Sequence, residues 1–233
     1  MFYDAIRNDH GFEVDPIKAL VARPIGWLST LSADGVANLA PYSFFNIVSE
    51  RPHYVIFGSS GYKDSLRNIE ATGEFAVNVA TYSIREAMNM TSSVVPPHVD
   101  EFALAGLTKA PCQLIKPPRV AECPANLECR LYKKIELPDD EGKVTNWLVV
   151  GRVIGVHIDD RFIENGRVNS GAMQMISRLG YAEYATIRCL ANAPAGISYA
   201  AGGLHRGHEA SFHWERATCP AEALQPCLAL IGR

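Results

Sequence analysis

The sequence predicts a mainly β protein: a barrel with a few short helices, followed by an irregular C-terminal extension. Three observations carry this. Short apolar segments with strand-like alternation recur along the first 187 residues, separated by turn signals. Few stretches have helical spacing, and many short strands in one chain favour closure, because a barrel removes exposed sheet edges. After about Arg188 the composition becomes rich in Ala, Gly and Pro, with no sustained period. The expected division is therefore 1–187 for the barrel domain and 188–233 for the extension.

The region from Pro24 to Val79 reads mainly as β-structure. Ile25, Trp27, Ser29 and Leu31 alternate with Gly26, Leu28 and Thr30. Ala33-Asp34-Gly35 then supplies a turn, and Val36, Asn38 and Ala40 continue the return strand of a hairpin. "HYVIFGSS" and "EFAVNVAT" are two further strands. Between them "KDSLRNIEAT" reads as a short helix that Asp64 can cap, with Leu66 and Ile69 on its apolar side and Gly73 as its stop. A second helix is expected at Ser83, where Ser83 and Glu86 have capping-box spacing and Ile84, Ala87, Met88 and Thr91 face the core.

"VVPPHVDEF" reads as a surface loop, since consecutive prolines suit neither a helix interior nor a central strand. Strands return at about 119–136 and 146–158, separated by the polar turn "LPDDEGKVT". "IDDRFIENGRVNS" is loop-like around an Asn165-Gly166 turn, and "GAMQMISRLG" is helical or irregular.

Composition narrows the function. The chain has 233 residues, 48% apolar and 20% charged, the balance of a globular protein. A net charge of −3 sets up no field that recruits nucleic acid or an anionic membrane. The amino terminus lacks the sections of a secretory signal, and the strongest apolar run, Trp147 to Ile158, is short and contains Arg152. A cytoplasmic protein without membrane partners is the expectation. Six cysteines (Cys112, Cys123, Cys129, Cys189, Cys219, Cys227) form no CxxC pair, so neither a zinc site nor a redox dithiol is suggested. In an unbroken strand Cys123 and Cys129 would share a face.

Two stretches could carry chemistry. In "NLAPYSFFN", Pro41 cannot donate to a sheet ladder, so it marks a bulge, an edge or a strand end. Beyond it, the hydroxyls of Tyr42 and Ser43 either meet solvent at an irregular edge or face a ligand. In "GSSGYKDS", two serines, a glycine and Lys63 precede a helix start, where free N–H groups and the helix dipole favour a phosphate. The plainer reading is a capped surface turn. His205, His208 and His213 do not match a zinc motif and read as solvated, and His157 on a strand reads as structural. There is no GxGxxG after a strand, no Walker loop and no GxSxG elbow.

Taken together, "RPIGWLSTLSADGVANLAPYSFFNIVSERPHYVIFGSSGYKDSLRNI", "EFAVNVATYSIREAMNMTS", "VDEFALAGLT", "PANLECRLYKKIEL", "VVGRVIGVHIDD" and "ISRLGYAEYATI" resemble the flavin reductase-like, FMN-binding split-barrel family, which includes flavoredoxin-type proteins. The resemblance spans about residues 15–187. It implies a homodimeric split β-barrel that binds FMN, rather than FAD, near the subunit interface. It would draw on Trp27, Ser29 and Thr30, with Ala40, Pro41, Tyr42, Ser43 and Asn46 along the flavin and Ser60, Lys63, Asp64 and Ser65 around its phosphate. Where family members often read "KDT", this chain has Lys63-Asp64-Ser65, which keeps the hydroxyl. "SRLG" at Ser177 to Gly180 also matches, with no role assigned to Arg178.

The implied activity is NAD(P)H-dependent flavin reduction, with the nicotinamide stacking transiently on the flavin and the electrons passing to a further acceptor. The alternatives are an electron carrier reduced by another protein and a non-enzymatic flavin-binding barrel. Hydride chemistry of this kind belongs to the cofactor, which makes the missing acid/base constellation intelligible. No side-chain nucleophile is required, no catalytic residue is assigned, and no metal is expected.

Overall fold

The first hairpin forms where the alternation predicts it. Gly26–Leu31 (β2) pairs with Ala37–Tyr42 (β3), and the turn between them places Gly35 at φ 83, a left-handed conformation that glycine adopts without strain. Ahead of it lies the two-residue strand Arg23–Pro24 (β1). The computed structural model describes residues 1–187. The chain divides into two compact units, Met1–Thr186 and Ile187–Arg233. The expected extension, with its histidines and with Cys189, Cys219 and Cys227, therefore falls outside the described residues.

The remaining strands are Phe45–Glu50 (β4), His53–Ser60 (β5), Glu74–Val79 (β6), Lys109–Ala110 (β7), Arg119–Val120 (β8), Ala125–Pro138 (β9), Val144–Ile158 (β10), Ile163–Glu164 (β11), Arg167–Val168 (β12), Ile176–Arg178 (β13) and Tyr184–Thr186 (β14). The helices are Asp64–Thr72 (α1), Arg85–Met90 (α2), Glu101–Leu104 (α3) and Ser170–Met173 (α4). Seven strands form one antiparallel sheet in the order β3-β2-β6-β9-β10-β5-β4. Its two end strands, β3 and β4, are consecutive in the chain and joined only by Ser43 and Phe44. The sheet thus curls until its ends approach: a Cβ on Gly26 in β2 would overlap the Phe45 ring of β4. This is the split barrel expected from the sequence. β1, β13 and β14 form a smaller sheet beside it.

The barrel wall separates two apolar clusters, because successive strand residues point to opposite faces. Leu28, Tyr42, Val55, Phe57, Phe75, Val77, Cys129 and Val149 pack on one face with Leu66 and Ile69 of α1. Ile25, Trp27, Ala37, Leu39 and Ala80 pack on the other, against Met88 of α2, Phe102 of α3 and Ile176 of β13. Trp27, Phe57, Phe75 and Phe102 are fully buried, each worth about 1.5–3 kcal/mol of transfer free energy. A polar row fastens β8 to the wall. Asn78 donates to the Trp27 carbonyl (2.9 Å), and its Oδ1 accepts from Val120 N and from Asn126 Nδ2 (2.8 Å each).

Several local expectations need correction. Asp64 does not cap α1: it is the first helical residue and pairs with Arg67 (2.6 Å), while Lys63 occupies the cap position without a side-chain cap bond. Gly73 does end the helix, at φ 71. The Ser83/Glu86 capping box does not form, because residues 82–84 make a 3-10 turn, Ser83 Oγ bonds Thr81 Oγ1 and Glu86 pairs with Arg85. Met88 and Thr91 are buried as expected. Cys123 precedes β9, so it does not share a strand face with Cys129, and the two thiols lie in different clusters. The end of "VVPPHVDEF" opens α3, which Asp100 caps by accepting from Phe102 N. The β9–β10 turn is shorter than expected, since Leu137, Pro138, Val144 and Thr145 are in strands. Asn165 and Gly166 form a hairpin turn with positive φ at both positions. No helix among the described residues is long and apolar enough to cross a membrane.

Candidate functional site

Three clefts meet at the segment from Pro41 to Asn46. The first, about 460 Å³, lies between β3 and the start of α1. It brings together Ala40, Pro41, Tyr42, Lys63, Asp64 and Ser65, so the two stretches singled out in the sequence share one site. Pro41 stands opposite Trp27 on an edge strand, one residue before the strand ends. Being an edge position, it loses no ladder bond through its missing N–H.

The chemistry of this cleft is set by burial and by one open helix end. Tyr42 is 5% exposed, and its hydroxyl is buried beside the Ser59 and Ser65 hydroxyls without a hydrogen bond of good geometry to either. Burial pushes the Tyr42 pKa up, and the neighbouring hydroxyls only partly offset this. Ser65 is buried and accepts from Asn38 Nδ2 (3.1 Å). Lys63 is exposed, its Nζ 5.8 Å from the centre of the Tyr42 ring, and it has no carboxylate partner among the described residues. Arg67 is already paired with Asp64. Thr91, Ser92, Ser93, Val94 and Val95 form the opposite wall.

Glu101 also borders this cleft, though it sits in a stretch that reads as a loop. It is 6% exposed and accepts from Leu39 N on the sheet edge (3.1 Å). Burial raises its pKa, outweighing the N–H groups that favour the carboxylate.

The second cleft, about 480 Å³ and largely apolar, lies on the other side of the β3–β4 link. It takes in Ser43, Phe44, Phe45, Asn46, Ser59, Ser60 and Trp147. Ser43, Asn46 and Ser60 are therefore here rather than beside Lys63. The third cleft, about 360 Å³, is lined by Lys18, Arg23 and Arg178 together with Pro41, Ser43, Phe44, Ser92, Tyr181 and Tyr184.

Trp27, Ser29 and Thr30 border none of the three clefts. All three are fully buried and engaged. Trp27 Nε1 donates to Thr91 Oγ1 (2.9 Å), Ser29 Oγ donates to the Pro118 carbonyl (2.5 Å), and Thr30 Oγ1 accepts from Asn68 Nδ2 (3.0 Å). Their side chains hold the barrel wall instead of facing a cleft.

Away from the clefts, His157 on β10 has the structural setting expected of it. Its Nε2 lies 2.5 Å from Glu128 Oε1 on β9, and the same carboxylate accepts from Gln113 N (2.7 Å) and Leu114 N (2.6 Å). Cys112 completes this cluster, the one group among the described residues with His, Cys and carboxylate atoms close together. Burial, with Glu128 adding to it, pushes the Cys112 thiol up to about 12. The thiol is therefore protonated at neutral pH and not a nucleophile.

Comparison with known proteins matches this architecture. A flavin reductase like domain model matches residues 19–173, and the chain belongs to that family. Among solved structures it is similar to nitrilotriacetate monooxygenase component B from Bacillus cereus, 33% identical, with a TM-score of 0.70 over 76% of this chain and 92% of that one. It is also similar to 2-nitrobenzoate 2-nitroreductase NbaA from Pseudomonas fluorescens, 29% identical, with a TM-score of 0.69 over 80% of this chain and 92% of that one. A split-barrel-domain structure from Shewanella frigidimarina, 22% identical, shares the fold with a TM-score of 0.70 over 77% of this chain and 90% of that one.

Proposed function

We propose that this protein binds FMN and works as an NAD(P)H-dependent flavin reductase. The observation that carries the reading is the first cleft, where the Pro41-bearing end of an edge strand meets the open N-terminus of α1, a lysine with no carboxylate partner among the described residues and the buried Tyr42 hydroxyl, which lacks a well-formed hydrogen bond. That set fits a phosphorylated flavin. Lys63 and the first-turn N–H groups of α1 would hold the phosphate, and the Tyr42 and Ser65 hydroxyls would meet polar groups of the sugar chain. Glu101 fixes the edge of β3 by holding the Leu39 N–H, which keeps Ala40 to Tyr42 in place along the cleft. A bound flavin itself supplies hydride acceptance and electron release, so the chain has only to bind it, orient it and limit access.

Membership of the flavin reductase like family and the named functions of the two more similar structures support an oxidoreductase. The reading extends to a homodimer: Ile47 and Val48 on β4 and Val156 on β10 are each more than half exposed, apolar surface that a second copy would cover.

The test is anaerobic titration of the purified protein with NADH and with NADPH, with the bound flavin identified by mass. Bleaching of the flavin absorbance by either donor is expected. A yellow protein bleached by dithionite but by neither nicotinamide would instead be an electron carrier reduced by another protein.

A further inference from the structure

Away from all three clefts, Cys112, Glu128 and His157 each offer a metal-ligating atom, and these atoms lie within 4.8 Å of one another. They come from three segments: the loop between β7 and β8, strand β9 and strand β10. Positions so far apart form no sequence motif, so the lack of a CxxC pair does not speak against such a site.

The fold builds this convergence from two sides. On β9 and β10, Asn126 stands opposite His157 and Glu128 opposite Gly155, just past a register shift between Val153 and Gly155. A Cβ at Gly155 would lie 3.3 Å from the Glu128 side chain. The glycine thus leaves the space beside the carboxylate to the diagonal neighbour His157, whose Nε2 reaches Glu128 Oε1 at 2.5 Å. From the other side, Gln113 N and Leu114 N donate to Oε1 and Oε2, which holds the preceding residue, Cys112, against the same carboxylate. Outer hydrogen bonds of this kind orient ligating carboxylates. Exchanging the imidazole contact for a metal still leaves Oε1 a lone pair to bind it. Glu128 is buried, but the His157 side chain is 19% exposed, Cys112 is half-buried and Gln113 and Leu114 are exposed, so the group is reachable from solvent.

We propose that Cys112, Glu128 and His157 bind a zinc-type divalent metal, with water in the fourth position, and so tie the 111–115 segment to the barrel wall. Thiolate, imidazole and carboxylate are zinc ligands, and three of them with one open position is an established zinc pattern. On binding, the Cys112 S–H bond breaks and its proton passes to water. A proton held between Nε2 and Oε1 passes to solvent or to Nδ1, leaving the imidazole neutral. Thiolate and carboxylate then balance the two positive charges of the metal, which suits a buried site. The charged groups around the thiol are Glu128, Glu74 and Arg119, two carboxylates against one guanidinium. Zinc bonds of about 2.0–2.3 Å in tetrahedral geometry need ligand separations of about 3.4–3.6 Å, so the His157 ring has to swing back by only about 1 Å. None of this depends on the flavin reading.

The test titrates chelator-treated, full-length protein with Zn²⁺ against a chromophoric chelator and with Co²⁺ followed by absorption. Wild type should bind one equivalent of Zn²⁺ and give a thiolate-to-cobalt charge-transfer band. Loss of an outer-shell partner alone costs about 10–100-fold in affinity, so Cys112→Ser should weaken Zn²⁺ by more than about a hundredfold and abolish the band. His157→Gln should also weaken Zn²⁺ while keeping a thiolate band at saturating Co²⁺. A variant combining Cys189→Ser, Cys219→Ser and Cys227→Ser leaves Cys112 as the one thiol that is not buried, and it should bind Zn²⁺ and give the band as wild type does. This variant decides the matter even if Cys112→Ser fails to fold. In urea melts Zn²⁺ should raise the midpoint of wild type, because it binds the folded state. The proposal is overturned by the absence of Zn²⁺ binding or of the band, by a band that survives Cys112→Ser, by a band lost with the three distal serines, or by Zn²⁺ affinity indifferent to His157→Gln.

Discussion

Glu128→Gln tests how the barrel wall is locked to the 111–115 segment. Glu128 is 1% exposed, and its two oxygens accept from Gln113 N, Leu114 N and the His157 ring. Glutamine keeps the shape but offers only one acceptor oxygen, so an amide donor must face either the Leu114 N–H or the Gln113–His157 side. Two hydrogen bonds to the charged carboxylate are then lost or weakened, at about 1.5–3 kcal/mol each. The expected destabilisation at pH 7 is therefore about 3–5 kcal/mol by urea denaturation followed by circular dichroism. Burial alone would raise the Glu128 pKa, but the Gln113 N–H, the His157 ring and the Leu114 N–H outweigh it and hold it below the usual carboxylate range. A lowered folded pKa means that the carboxylate's contribution is complete above the unfolded value of about 4.3 and is lost as pH falls through the folded one. The gap between wild type and variant should thus narrow below about pH 4. A cost under about 1 kcal/mol at pH 7, or a gap that stays constant into acid, would refute the reasoning.

Three further outcomes follow from the clefts and the seam. Lys63→Ala should weaken FMN about tenfold and leave riboflavin nearly unchanged in fluorescence-quenching titrations, because only FMN carries the phosphate; equal losses would make Lys63 structural. Tyr42→Phe removes a buried hydroxyl that lacks a well-formed bond, so the ligand-free protein should be at least as stable as wild type, by up to about 1 kcal/mol, while FMN binds more weakly. Destabilisation by more than about 1 kcal/mol would mean that Ser59 or Ser65 bonds this hydroxyl after all. Gly26→Ala, with its new Cβ forced onto the Phe45 ring, should cost about 1–3 kcal/mol of overpacking in a thermal or urea melt, and a neutral result would show that the seam yields.

Features written in local backbone chemistry were legible in the sequence. Gly35, Gly73 and the Asn165-Gly166 pair lie at positive φ where the turns and the helix stop were read, because few other residues adopt that conformation. Pro41 was legible as a bulge, an edge or a strand end for an equally local reason, and it lies on an edge strand one residue before its end. Misreadings arose where a competing side chain nearby or a partner far along the chain decides. Asp64 and Ser83 look like caps, yet Arg67 and Thr81 claim their side chains. Glu101 lies in a proline-containing stretch that reads as a surface loop, and its burial goes with the Leu39 N–H, 62 positions away in sequence. Trp27, Ser29 and Thr30 were placed at the flavin by the family resemblance alone, since no local pattern in β2 gives them a ligand-facing side. In the fold both faces of that strand are covered, so Trp27, Ser29 and Thr30 serve the wall. The third cleft needed β1 beside β13, a pairing across more than 150 residues that no local pattern announces.

The two-residue link between β3 and β4 limits how such a protein can diversify. Ser43 and Phe44 each border both the apolar and the cationic cleft, and Pro41 just before them borders the cationic cleft and the cleft beside Lys63. A substitution in this link alters two recognition surfaces at once, and only changes acceptable to both would survive. Lys63 and Arg178 each border one of the three clefts, so either can vary without reshaping the other two. Under the proposed function, new donors or acceptors should therefore be acquired by exchange at these outlying positions, around a junction that stays as it is.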